Sequence, residues 1–507
     1  MEERVGRGAI VLIVSGLLSK IFGALFRLPL TNIIGIKGIG IFQMAMAIYS
    51  LMLVFVSGGV TNSLAKLVAS ARAVGNSEKI YSLKKVALIF SVTAGLLIGL
   101  IFAVFFKGIS SLQGIENGGE VYLFFLLLLP LGGAIGVFRG IVQGHENMTP
   151  TAISQIIEQS IKFLAGLLFA YLFGKQNSGS GVFGAFLGIT ISEFVAFIYL
   201  LLTTRKKYKF KKGNLQVGRE FFSAALPLTF SAAVNPLTNA IESLFIVALL
   251  AKAGIASEKA TALYGLQTGV VGALMHFPLI ISLSVAMALL PKLSYLFQTN
   301  DVEGQKNILS QSFKYMWFFL VPLTIGIISI SGVLYPIIYP NIIGGYLNIV
   351  NNLTIISGFS IILSALMQFL LSIVEAKGKF KEAMAFSVVG GIFKIATLVI
   401  FAQSQYINIF AISISNIVFN STVCICCLIC LGKAFKVDAF DFFMPAVASV
   451  IMFFAVRLIL SLVSGKIGLL IAILGGAIIY FVIALPLTLD IFKGFLSKFK
   501  LRSRNVC

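Results

Sequence analysis

The sequence predicts an all-α polytopic membrane protein with fourteen transmembrane helices, and three observations support this fold class. First, 58% of the 507 residues are hydrophobic and only 11% are charged, and the mean hydropathy is +1.01. Second, apolar runs long enough to cross a bilayer, which takes about 20 residues, recur along the whole chain. Third, the connections between these runs alternate between rich and poor in Lys and Arg. This composition excludes a soluble globular domain.

The predicted helices are the apolar runs that lie between short polar breaks. Numbered 1 to 14 in chain order, they span 8–34, 38–64, 83–106, 120–144, 151–173, 182–203, 219–250, 262–289, 310–335, 346–374, 382–401, 408–431, 440–463 and 467–488. The first run follows a short charged start and has no small-residue cleavage site, so we expect it to be retained as a membrane helix.

The charge distribution indicates topology rather than a nucleic-acid surface. The net charge is +21, but the basic residues are scattered in short segments between apolar runs, so we expect no nucleic-acid partner. The positive-inside rule places the basic connections and both termini on the cytoplasmic side of the bacterial cell membrane. The densest basic segment, 204–218, is interpreted as a linker that contacts anionic membrane lipids.

An internal repeat predicts two six-helix lobes. Predicted helices 1–6 align on predicted helices 7–12, with Lys66 on Lys292 and Lys162 on Lys394. An even number of helices gives both halves the same orientation, which predicts a pseudo-twofold axis along the membrane normal. The domains are then an N-terminal lobe (1–203), the linker (204–218), a C-terminal lobe (219–431), and two extra C-terminal helices with a basic tail (432–507).

The main candidate site is a pair of cations inside predicted helix 1. Lys20 and Arg27 are seven positions apart, so at about 100° per residue both lie on one helix face. Gly16, Gly23 and Thr31 make the rest of that face small or polar. Ionisable residues at membrane depth are functional candidates, and Arg can hold phosphate oxygens through two hydrogen bonds. We therefore predict that Lys20 and Arg27 line a cavity and bind a diphosphate.

Predicted helices 5 and 6 carry further charges inside the membrane. Glu158 and Lys162 are four positions apart in the favourable order for an ion pair, so they are interpreted either as a self-neutralising pair or as cavity residues. Glu193 has no partner close to it in sequence. These three residues are candidates for the cavity or for ion coupling.

Predicted helix 7 has one polar face. Asn235, Asn239 and Glu242 lie on it, next to Pro236, and their oxygens suit Na⁺, a proton or interhelical hydrogen bonds. Lys394 on predicted helix 11 has no acidic residue within a turn of it, so we predict that it extends the basic cavity.

Predicted helix 4 contains glycines at every fourth position. Such a ladder allows another helix to pack closely. The four glycines are Gly132, Gly136, Gly140 and Gly144.

Sequence motifs give no support for metal or enzyme chemistry. No Walker A loop, nucleophile elbow or HExxH motif is present. Four cysteines cluster inside an apolar run, where they are expected to pack rather than to bind metal: Cys424, Cys426, Cys427 and Cys430. We therefore expect no metal and no resident cofactor.

Two stretches resemble a known family. They are SKIFGALFRLPLTNIIGIKGIGIFQMAMAIYSLMLVFVSGGVTNSLAKLVA and VQGHENMTPTAISQIIEQSIKF. They resemble the stage V sporulation protein B and polysaccharide-exporter family of the multidrug/oligosaccharidyl-lipid/polysaccharide flippase superfamily, which is related to lipid II flippases. The resemblance implies two lobes in a V shape, a basic central cavity, and a groove for a lipid tail between helices 13 and 14. It also implies that Lys20 and Arg27 serve a substrate diphosphate. The interior of predicted helix 11 lacks the acidic residue that some relatives use for a cation.

The resulting functional prediction is a flippase for a polyprenyl-diphosphate-linked sugar, such as a peptidoglycan precursor, that works by alternating access. Coupling to Na⁺, H⁺ or the membrane potential stays open. We expect a monomer, with proteins of cell-envelope synthesis as candidate partners, in sporulation, wall synthesis or capsule export. The alternatives are a multidrug or cation antiporter of the same superfamily, a membrane glycan-processing enzyme, and an envelope-assembly scaffold.

Overall fold

The computed structural model describes residues 2–175, 177–207, 217–432 and 438–487, and this part of the chain is all-helical. Most of the linker and all of the tail beyond residue 487 lie outside the described residues. In chain order the helices are α1 (Glu2–Leu53), α2 (Gly59–Ala73), α3 (Ser77–Leu112), α4 (Phe125–Gly144), α5 (Thr149–Gly174), α6 (Ser178–Lys207), α7 (Gly218–Lys252), α8 (Ser257–Gly265), α9 (Gly272–Met275), α10 (Phe277–Gln298), α11 (Val302–Ile338), α12 (Leu347–Ala376), α13 (Phe380–Ala402), α14 (Phe410–Leu431), α15 (Ala439–Leu462) and α16 (Gly465–Ile483).

The described helices make this a multi-pass membrane protein. Twelve of them are long and apolar enough to cross a membrane, or up to thirteen if the bent pair Ser257–Met275 and Phe277–Val285 forms one span. The exact number of fourteen crossings therefore stays a prediction.

The first membrane element is unusually long and is interrupted at Gly35. Its apolar part, Val14–Ala73, contains 60 residues. At 1.5 Å per residue that is roughly 90 Å, about three times the hydrocarbon thickness of a bilayer. Gly35 has φ 74° and ψ 178°, a backbone conformation open to glycine and costly for other residues. Predicted helices 1 and 2 lie on the two sides of this break.

The prediction of one continuous helix over 262–289 is wrong. The structure divides this region into α8, a π-helical turn (Leu266–Val271), α9 and α10, and the chain bends by 54° between Met275 and Phe277. A proline in the first turn of α10 explains the new start, because proline is favoured there and disrupts a helix interior.

The described residues fall into two compact units. The first comprises the described parts of Met1–Ala273 and Ser387–Ser415, and the second those of Leu274–Phe386 and Asn416–Cys507. The first contains a core around Leu64, Phe138 and Phe221. These units do not coincide with the predicted chain-order lobes 1–203 and 219–431, so those lobe boundaries stay a prediction.

Within the second unit, the two C-terminal helices are attached to α11. The Trp317 indole stacks on the Phe442 ring of α15, with 5.0 Å between the ring centres. Its Nε1 donates a hydrogen bond to the Phe442 carbonyl oxygen at 2.9 Å. The Tyr480 hydroxyl of α16 donates to the Phe318 carbonyl at 2.7 Å. Both helices therefore pack on the same partner.

The glycine ladder of α4 faces the segment that runs from Tyr49 through the π-helical turn Val54–Gly58 into α2. A Cβ atom added at Gly136 would lie 2.9 Å from Ser57 Cβ, and one at Gly140 would lie 2.8 Å from the Thr61 carbonyl oxygen. Gly132 and Gly144 meet the same segment near Leu53 and Val68. The ladder therefore lets α4 pack almost backbone to backbone against this helix.

Candidate functional site

The two cations of α1 lie on the side of the helix that turns toward α5. Lys20 is exposed and Arg27 is half-buried. A Cβ at Gly23 would lie 3.8 Å from Gln159 Oε1, so the small face of α1 meets polar groups of α5. Among the described residues, neither Lys20 nor Arg27 has a hydrogen bond or an ion pair at its charged group. This leaves two cations available on one helix face.

The ion pair predicted between Glu158 and Lys162 is wrong. Glu158 Oε2 instead accepts a hydrogen bond from Arg139 Nη2 of α4 at 2.8 Å, and Arg139 Nε donates to Ser154 Oγ at 3.0 Å. The Lys162 ammonium lies 5.4 Å from the centre of the Phe26 ring. An arginine held by two hydrogen bonds competes well with a flexible lysine for the carboxylate.

Glu193 of α6 is buried next to Tyr49 of α1. Its side chain is 7% exposed, and Oε1 accepts a short hydrogen bond from the Tyr49 hydroxyl. Within the described residues, Oε2 is buried and has no hydrogen-bond partner. Gly132 faces this atom, and a Cβ there would lie 3.7 Å from it. The ladder of α4 thus brings its backbone close to a buried carboxyl oxygen.

A polar cavity of ≈ 230 Å³ connects these groups. It extends along α4 from Gly132 to Gln143, roughly 16 Å at 1.5 Å per residue. Its lining combines two carboxylates, one guanidinium, hydroxyls and amides, a set that suits water or a proton path more than an apolar ligand. The lining residues are Leu53, Ser57, Thr61, Gly132, Ile135, Gly136, Arg139, Gln143, Thr151, Gln155, Glu158 and Glu193.

Lys394 of α13 lies in a second polar cluster with α7. Its ammonium donates to Asn239 Oδ1 at 2.9 Å and lies 3.0 Å from Glu242 Oε2, in an ion pair rather than an aligned hydrogen bond. The Lys394 and Glu242 side chains are 4% and 6% exposed. Asn235 is exposed, and its carbonyl accepts from Thr238 Oγ1 at 2.9 Å. In this structure the chain's own ammonium lies against two members of the predicted cation site, Asn239 and Glu242. That Lys394 extends the basic cavity stays a prediction.

α1 and α8 cross at two glycines. A Cβ at Gly265 would lie 2.1 Å from the Ile36 carbonyl oxygen, and one at Gly40 would lie 2.2 Å from the Thr261 carbonyl oxygen. Nearby, Gln43 Nε2 donates to the Thr268 carbonyl at 3.1 Å. The backbones of α1 and α8 therefore touch at this crossing.

Sequence reasoning missed Arg139 and Tyr49. Arg139 lies five residues inside the C-terminal end of α4, and it was not among the predicted site residues. The available signal was its place in the glycine ladder, one residue before Gly140. Nothing in the local sequence indicates that Tyr49 pairs with Glu193, because the two are 144 residues apart.

The described residues contain no group of three or more His, Cys, Asp or Glu side chains that could hold a metal ion. Cys424 and Cys427 are buried free thiols on α14. Three candidate sites are described above: the α1 cations, the Glu193 cavity and the Lys394–Glu242 cluster.

Two curated relatives come from Bacillus subtilis (strain 168). Stage V sporulation protein B is 28% identical over 302 residues, which cover 57% of this chain and 58% of the relative. Lipid II flippase MurJ is 25% identical over 367 residues, which cover 67% of this chain and 66% of the relative. The matches thus span less than two thirds of the length of both relatives.

Two solved structures share the fold. The first is titled "Lipid II flippase MurJ, inward closed conformation": it has a TM-score of 0.75 at 16% identity, covering 95% of this chain and 100% of that chain. The second is an inward-facing multidrug resistance MATE family transporter of the MOP superfamily: it has a TM-score of 0.64 at 12% identity, covering 87% of this chain and 98% of that chain. At these identities the likeness shows the fold alone.

The family comparison covers more than half of the chain. Residues 5–297 match the family model described as "Polysaccharide biosynthesis protein". This stretch includes the cations of α1, the Glu193 cavity and the crossing of α1 with α8. The chain belongs to this polysaccharide biosynthesis protein family.

Proposed function

We propose that this protein is a flippase that carries a polyprenyl-diphosphate-linked sugar from the cytoplasmic to the outer leaflet by alternating access. Membership of the polysaccharide biosynthesis family and the similarity to a lipid II flippase support this class of substrate. The sugar would be a peptidoglycan precursor or another lipid-linked oligosaccharide. The relative named for sporulation supports a role in making the cell envelope.

The observation that carries the proposal is the unequal pairing of charges in the first unit. Glu158 is bound to Arg139 and Glu242 to Lys394, while Glu193 accepts a hydrogen bond from the Tyr49 hydroxyl. Among the described residues, Lys20 and Arg27 have no such partner. Two unpaired cations on one face favour an anion, and Arg27 can hold a phosphate through two hydrogen bonds. An acidic cavity for a cationic drug is not favoured.

The proposed topology has fourteen crossings with both termini in the cytoplasm. The broken element Val14–Ala73 is long enough for two crossings. The distribution of basic residues supports the orientation in the bacterial cell membrane.

The crossing of α1 with α8 supports the proposed pseudo-twofold axis between two lobes. Gln43 bonds to Thr268, which is 225 residues later in the chain, and Gly40 touches Gly265 at the same separation. The repeat aligned Lys66 with Lys292 at nearly this offset. Contacts between equivalent residues are expected where a twofold axis passes between two helices.

In the proposed cycle, the contact of Gly40 with Gly265 lies toward the outer side of the membrane. The lipid diphosphate would bind Lys20 and Arg27 from the cytoplasmic side while its tail stays in the bilayer. Neutralising the two cations would let the loaded carrier move with little net charge. The empty, positive carrier would return toward the negative interior, at about 2.3 kcal/mol per charge per 100 mV.

The test is a translocation assay with purified protein in vesicles that contain defined polyprenyl-diphosphate lipids. We expect wild type to move these lipids and Arg27→Ala to lose most of the activity, because a bidentate phosphate contact is removed. Arg72→Ala is the matched control, since Arg72 is an exposed arginine at the end of α2 that forms an ion pair with Glu146. Equal transport by Arg27→Ala and wild type would contradict the site.

The same assay decides between the flippase and an antiporter. The MATE-like fold is the observation that favours the antiporter. Wild-type vesicles that move a cationic drug but no polyprenyl-diphosphate lipid would establish the antiporter and overturn the flippase. Chemical alteration of the lipid during the assay would instead indicate a glycan-processing enzyme, and absence of any transport would favour an assembly scaffold.

A further inference from the structure

Glu193 has a buried carboxyl group, and among the described residues no cation forms an ion pair with it. Arg139 is already bound to Glu158 and Ser154, and Lys162 lies over the Phe26 ring. Within the described part of the chain, the bonded neighbour of Glu193 is the neutral Tyr49 hydroxyl. An ionised carboxylate in this position would be desolvated with a neutral hydroxyl as its bonded neighbour, and proteins avoid such a buried charge by neutralising the group.

The two carboxyl oxygens of Glu193 have different surroundings. Oε1 accepts from the Tyr49 hydroxyl, as the carbonyl oxygen of a carboxylic acid would. Oε2 is buried and has no bonded partner among the described residues, and the Glu193 residue lines the polar cavity. This asymmetry matches a neutral acid whose proton is on Oε2. The cavity that Glu193 lines is polar and large enough to hold water, which is a proton acceptor.

The charged groups around Glu193 come from α4 and α5. They are Arg139, Glu158 and Lys162, and they act on Glu193 through space, with Tyr49 of α1 in direct contact. Two positive charges and one negative charge surround the site, so an ionised Glu193 would compete with Glu158 for Arg139. The Glu158–Arg139 pair observed here is therefore the arrangement expected while Glu193 is neutral.

We infer that Glu193 is a proton-binding site, loaded in the described conformation and connected to the cytoplasmic end of α4 by the polar cavity. The proton leaves Oε2 for water in the cavity, and the carboxylate that remains attracts Arg139 or Lys162. That rearrangement would loosen the contacts of α4 with α1 and α6 around Gly132. This inference deepens the proposed function by naming H⁺ as a coupling ion. The second experiment below, which measures transport, rests on that function.

The first experiment needs no transport. Infrared difference spectra of the purified full chain in lipid nanodiscs are recorded while the pH is raised. We expect a carboxylic-acid carbonyl band that disappears with rising pH in wild type and is absent from Glu193→Gln. Glu193→Asp should restore a titrating band, and Glu78→Gln, at an exposed position of α3, should leave the band unchanged. An identical titrating band in Glu193→Gln would overturn the inference.

The second experiment measures flipping in vesicles with an imposed pH gradient at a clamped potential. We expect wild type to flip faster with the outside more acidic, and Glu193→Gln to lose this dependence. If wild type flips no lipid at all, the proposed function fails, while the infrared titration still decides the proton site. A rate that follows a sodium gradient through Glu193, with no response to pH, would overturn the choice of the proton.

Discussion

Glu193 on α6 and Glu242 on α7 are both buried carboxyl groups of the same compact unit. They differ in their direct neighbours, which are a cation for Glu242 and a neutral hydroxyl for Glu193. Glu242 faces the ammonium of Lys394 at 3.0 Å, and Asn239 shares that ammonium. Glu193 faces a neutral tyrosine and an open polar cavity. A carboxylate with its own fixed cation is suited to hold helices together, whereas one without a cation is suited to exchange a ligand with the cavity.

The largest effect on stability is expected from Lys394→Met, which removes the fixed cation beside Glu242. This leaves Glu242 buried and unpaired, and loss of one partner of a buried ion pair costs about 3–5 kcal/mol. We expect a large drop in the melting temperature in detergent. The double variant Lys394→Met with Glu242→Gln should recover much of the loss, and an equal loss in both proteins would contradict the pairing.

Neutralising each carboxyl in turn should give unequal effects on stability. Glu242→Gln leaves the buried Lys394 ammonium without its counter-charge, so we expect a loss of about 1–3 kcal/mol. Glu193→Gln replaces a neutral acid with a neutral amide of the same shape, so we expect a change of less than about 1 kcal/mol. Thermal unfolding of both variants at one neutral pH is the measurement. A larger loss for Glu193→Gln would show that Glu193 is ionised in the folded protein.

The smallest effect is expected for an exposed ion pair, which provides the reference for the buried one. Arg72 and Glu146 lie 3.4 Å apart, and their side chains are 45% and 48% exposed. Exposed pairs contribute about 0–1 kcal/mol. Glu146→Gln should therefore leave the melting temperature nearly unchanged at low and high salt. A loss as large as that of Lys394→Met would mean that burial does not explain the difference.

The sequence predicted the helical membrane fold because hydropathy is a local property. Each apolar run by itself indicates a segment long enough to cross the membrane. The sequence also identified Glu193 and Glu242 as unusual. It failed on their partners, because Tyr49 is 144 residues from Glu193 and Lys394 is on a different helix from Glu242. Glu158 likewise pairs with Arg139 of another helix. Helical spacing rules describe only neighbours within a turn. They therefore pointed to Lys162 as the partner of Glu158 and could not indicate Arg139. The break after α8 was missed for a similar reason. Hydropathy stays high through this region, so it does not show where the helix bends.

The Lys394–Glu242 cluster has one further consequence. A dissolved cation occupies its site according to its concentration, but an ammonium attached to the chain is present at an effective concentration fixed by covalent geometry. The cluster would therefore stay occupied in fresh water and in brine alike. Cells could then change their salt content without altering the contact between α7 and α13.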